Sequence, residues 1–89
     1  MSANNQTLIK EYKDKWYIFT NVNAEAWNEP GKPHIFSIKH AQGVYNSRDE
    51  AYEAALKLDA ECGPYGEGTE YGVQFNRLCK DDTLIELTE

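Results

Sequence analysis

Four side chains in this 89-residue chain could ligate a soft metal: Cys62, Cys79, His34 and His40. Structural zinc sites bring their ligands in close pairs such as C-x₂-C, because adjacent backbone positions fix the bite around a tetrahedral ion. Here sixteen residues separate the cysteines and five separate the histidines. On a straight strand His34–His40 the two rings would stand about 20 Å apart. The spacing predicts surface imidazoles and two packed thiols, with no metal and no cofactor. Nucleophilic chemistry fares no better. Cys62 falls at the C-terminal end of the one long helical segment, whereas thiolates are stabilised at helix N-termini. Ser37 and Ser47 sit in no catalytic motif. The Gly63–Thr69 loop contains G-x-G, but a strand follows it rather than a helix, it has no P-loop lysine, and Glu67 would repel phosphate. These observations predict a protein that is not an enzyme.

Two other patterns point to binding. Lys10, Lys13, Lys15, Lys39 and His40 surround Trp16, Tyr17 and Phe19. Sheet proteins stack single-stranded bases on such aromatics, and a small ligand could use the same face. The net charge of −6 opposes the nucleic-acid version. The stronger pattern is the segregation of charge. Residues 1–48 hold six cations and four acids, whereas residues 49–89 hold three cations and eleven acids. Five of those acids lie between Asp49 and Glu61, and a field concentrated on one element selects partners. Asp49, Glu50, Glu53 and Glu61 are the expected steering residues. Tyr52 and Leu56 flank them as apolar contacts, and Tyr65 and Trp27 are loop anchors.

The elements that must position these residues are legible in outline. Met1–Thr7 is polar and reads as a frayed start. Leu8–Tyr12 reads as a short edge strand in preference to a helical turn, and Lys13-Asp14-Lys15 as a turn. Trp16–Val22 is rich in aromatic and β-branched residues, with Trp16, Ile18, Thr20 and Val22 on one face and Tyr17, Phe19 and Asn21 on the other. Both faces are partly apolar, which predicts a central strand. Pro30-Gly31 marks a turn. His34–His40 reads as the return strand, and Val44-Tyr45 as an optional third.

Ser47-Arg48-Asp49-Glu50 is a capping box, in which Ser47 takes the Glu50 N–H and Glu50 reaches back to the Ser47 N–H. Ala51, Ala54, Ala55, Leu58 and Cys62 then recur on one helical stripe, and Gly63-Pro64 stops the helix. Tyr71–Leu78 reads as a later strand, and Thr83–Leu87 as a last strand or a terminal helical turn, with Ile85 and Leu87 flanking Glu86 favouring the strand.

One domain over residues 1–89 follows from the length. Its class is α+β: a small antiparallel sheet of three to five strands with one helix across one face, in the order β-β-(β)-α-β-(β). No apolar run approaches the roughly 20 residues of a membrane span. Met1–Lys10 lacks a basic start followed by an apolar stretch and does not read as a secretory signal, so the cysteines are expected reduced and the protein cytoplasmic. The chemistry points to a small acidic protein-binding module, an inhibitor or accessory factor for a basic surface. Such a domain can occupy the groove of a nucleic-acid-binding protein as an acidic mimic.

Overall fold

The computed structural model describes residues 4–27, 29, 31–62 and 65–89. Strands β1 (Asn5–Tyr12) and β2 (Lys15–Asn23) form a hairpin, followed by β3 (His34–Ser37) and a 3₁₀ turn at Ile38–His40. Strand β4 (Gly43–Tyr45) leads into helix α1 (Arg48–Ala60). Strands β5 (Val73–Phe75), β6 (Arg77–Leu78) and β7 (Thr83–Thr88) complete the chain. The fold is α+β with the helix across one face of a sheet, as the sequence predicts. The strands make two mixed sheets rather than one antiparallel sheet. One has the order β4-β2-β1-β5 and the other β3-β7-β6. The β1/β5 and β3/β7 pairs are parallel.

The layers follow from the alternation of side chains along β1 and β2. Ile9 and Ile18 face α1 and pack with Ala51 and Ala55. Leu8 and Phe19 face the other way and pack with Leu78 and Ile85 of the second sheet. The four-stranded sheet is therefore the middle layer of three, which explains why β2 is apolar on both faces. Small alanines let α1 lie close against it.

Several details differ from the sequence reading. Asn5–Thr7, assigned by polarity to a frayed start, belongs to β1, and Gln6 and Thr7 are wholly buried. Met1–Ala3 lies outside the described residues. The Gln6 amide is satisfied by backbone: its Nε2 donates to the Arg77 carbonyl at 2.8 Å, and its Oε1 accepts the Cys79 N–H at 2.8 Å. Strand β1 is also central rather than an edge, because β5 returns to pair with it.

In β2, Asn21 takes a left-handed conformation (φ 56°). The register slips there: Gln6 pairs with Val22, but Leu8 pairs with Phe19. This bulge turns Val22 to the Phe19 side, not the Trp16 side. The predicted return strand stops at Ser37, so His40 lies on the 3₁₀ turn. The predicted strand Tyr71–Leu78 is broken at Asn76 (φ 72°), where the chain leaves one sheet for the other. The Gly63-Pro64 stop and Pro30 of the Pro30-Gly31 turn lie outside the described residues.

Candidate protein-binding surface

Helix α1 starts where its cap is. The Ser47 hydroxyl accepts the Glu50 N–H at 3.2 Å. Glu50 returns to the Ser47 hydroxyl, 3.1 Å from its Oε1, in place of the Ser47 N–H expected of a full capping box. Asp49 and Glu50 then occupy the first turn, beside the positive end of the helix dipole. With Ala51 and Ala55 turned inward, helical geometry sends Asp49, Glu50, Glu53 and Glu61 outward, and all four are exposed.

The ion pairs sharpen this picture. Lys13 pairs with Glu89, Lys32 with Glu29, Arg77 with Asp82 and Lys80 with Glu25. Among the described residues no side chain of α1 joins such a pair. Asp49, Glu50 and Glu53 therefore make no ion pair, and the cations nearest to them are Arg48 and Lys57 of the helix itself, Lys57 lining the same groove as Glu50 and Glu53.

The predicted contact residues do not form one patch. Glu50 and Glu53 line a groove of about 520 Å³ between α1 and β4, with Gln42, Tyr45, Lys57 and Leu58. Tyr52 and Leu56 lie on the opposite flank, toward β5, and are 40% and 46% exposed. There Tyr52 stacks on Phe75, with centroids 5.9 Å apart and planes inclined by 26°. The Arg48 guanidinium lies 4.2 Å from the centre of the same ring, and Trp16 meets Phe75 edge-on. Trp27 and Tyr65 are 75% and 84% exposed on separate loops.

Two clusters escaped the sequence. Asp59 ties the helix to the sheet: its Oδ1 accepts the hydroxyls of Thr7 and Thr69, each at 2.6 Å. The loop after the helix wraps this carboxylate so closely that a Cβ at Gly68 (φ +94°) would lie 3.1 Å from Asp59 Oδ2. The partners are 52 and 10 residues away along the chain, so only the Thr/Asp residue types hinted at them. The second is a cleft of about 630 Å³ between Lys10, the Gly31–Pro33 loop and the β6–β7 hairpin. Its lining mixes both charges with Leu84 and Ile85.

Both cysteines are free thiols, and burial is the main cause that pushes their pKa values above the ordinary thiol range. The sulfur of Cys62 donates to the Leu58 carbonyl. His34 sits beside Phe36, with centroids 5.2 Å apart. Among the described residues no three His, Cys, Asp or Glu side chains converge as metal ligands. The aromatic residues proposed as a stacking face are split between the two cores, with Trp16 and Tyr17 partly exposed. Phe19 is buried under the second sheet, and Tyr17 packs against the same cluster. Trp16 packs against the helix-side core. No helix among the described residues is long and apolar enough to cross a membrane. The chain matches no protein-family model, no curated protein and no solved structure.

Proposed function

We propose that the protein is a non-catalytic binding module, working in the cytoplasm as an accessory factor or inhibitor, whose acidic helix engages a basic protein surface. The observation that carries this reading is the set of exposed carboxylates of Asp49, Glu50, Glu53 and Glu61, none of which joins an ion pair among the described residues. Solubility alone is served by charges of both signs interspersed. Segregated charge gives a directed field, and such a field raises association rates by orders of magnitude at low salt.

The groove beside β4 adds a shape to the field. Tyr45, Ala54 and Leu58 offer apolar surface, and Glu50, Glu53 and Lys57 line it, two carboxylates against one ammonium. A lysine or arginine of a partner fits this combination, with its methylene stem on the floor and its charged head at the carboxylates.

The test is kinetic. Once affinity capture names a partner, surface plasmon resonance compares the wild type with the Glu50→Lys, Glu53→Lys, Glu61→Lys triple variant. The expected result is an association rate lower by at least about tenfold, with a weaker salt dependence. Unchanged rate constants in a folded variant would reduce the acidic face to a solubility feature.

A further inference from the structure

Strand β5 ends the four-stranded sheet, and no described strand pairs with its outer edge. Its polarity is set by the parallel ladder with β1. The Thr7 N–H bonds to the Gly72 carbonyl at 2.9 Å, and the Asn76 N–H bonds to the Ile9 carbonyl at 3.0 Å. In a parallel ladder the bonding residues alternate, so Gln74 turns its backbone groups inward. The N–H and C=O groups of Val73 and Phe75 therefore point outward, in a row of two donors and two acceptors.

This row is complementary to itself. A two-fold axis beside Gln74 would set Val73 opposite Phe75 of a second copy and Phe75 opposite its Val73, with each pair exchanging two hydrogen bonds. The same axis would run the two helices antiparallel. Arg48 lies over Phe75, at one end of the helix. Asp59 lies at the other end, bonded to Thr7, which is level with Val73. The operation therefore brings the Arg48 end of each helix toward the Asp59 end of the other, so that opposite charges approach across the seam. Tyr52 and Leu56 of both copies lie between these ends and face each other across the seam.

We propose that the β5 edge, with Arg48, Tyr52 and Leu56, joins two copies of this chain into a symmetric dimer with one continuous eight-stranded sheet. The proposal is independent of the acidic groove, which lies on the other flank of α1 and stays open in such a dimer.

Sedimentation equilibrium tests it. The wild type is expected to approach twice the 10.2 kDa mass of one chain as concentration rises. Hydrogen exchange should show the Val73 and Phe75 amides gaining protection over the same range. Arg48→Glu sets like charges against Asp59 of the other copy, and Val73→Pro removes one outward donor per chain. Each is expected to raise the dimer dissociation constant at least tenfold, and Glu50→Lys with Glu53→Lys is expected to leave it unchanged. If Val73→Pro fails to fold by circular dichroism, Arg48→Glu and the exchange of Phe75 decide. A wild type that stays monomeric up to about 1 mM, the weak limit of useful affinity, overturns the proposal. So does a dimer that both folded variants leave intact, or protection of Val73 and Phe75 that arises only when a different protein binds.

Discussion

Gln6 joins the two sheets with a single amide. Its nitrogen and oxygen satisfy one backbone carbonyl on β6 and one backbone N–H just after it, so Gln6→Ala leaves two part-buried groups unpaired. The expected loss is about 3 kcal/mol, measured by urea unfolding; a loss below about 0.5 kcal/mol would mean that water replaces the amide. Asp59 has the same standing on the helix side, and Gly68→Ala should weaken its cradle through both the positive φ and the close approach. Neither residue was legible as a structural centre. Gln6 lies in a polar stretch, and its partners are 71 and 73 positions away, beyond any local pattern. Asp81 provides a third case. Its carboxyl accepts the Ala26 N–H and the Thr83 hydroxyl, and these bonds, the first foremost, hold its pKa below the ordinary carboxylate value. A pKa depressed by folding contributes stability that is present above the unfolded value, about 3.9, and is lost as pH falls through the lower folded one. Asp81→Asn should therefore flatten the decline of melting temperature on acidification below about pH 4. The effect is small because the residue is exposed.

Elements with local signals were readable, and those held by distant pairing were not. The Ser47 cap acts within four residues, and the helix starts where it predicts. Ser47→Ala should cost about 1 kcal/mol, seen as a lower denaturation midpoint; an unchanged midpoint would assign the helix start to another residue. The Lys13-Asp14 turn was also visible, but not its type. Both residues have positive φ, 51° and 68°, as a two-residue type I′ hairpin demands. Asp14→Gly should relieve one of these conformations and raise stability by up to about 1 kcal/mol. The second sheet left no such trace. Strands β3 and β7 pair in parallel across some fifty residues, with no turn between them to announce the match. The candidate surface divides in the same way. Helical spacing turned the carboxylates outward correctly, but only the sheet edges show that Tyr52 and Leu56 face β5 while Glu50 and Glu53 face β4.

At the scale of the whole molecule, a net charge of −6 and a buried Phe19 argue together against single-stranded nucleic acid. Oligonucleotides should leave the tryptophan fluorescence unchanged even at about 50 mM salt, where electrostatic affinity is strong; saturable quenching would reopen that reading. The central place of β1 has a temporal consequence. Strand β1 is made before its partners and holds hairpin contacts early, but its other edge waits for Val73–Phe75, and its Leu8 face waits for Ile85. Until then the nascent chain presents β1 as an open edge and half of a core. Closing such long loops late makes folding slow for a chain of this size. Between the completion of β2 and the arrival of β5, then, that unfinished edge is open to meeting another.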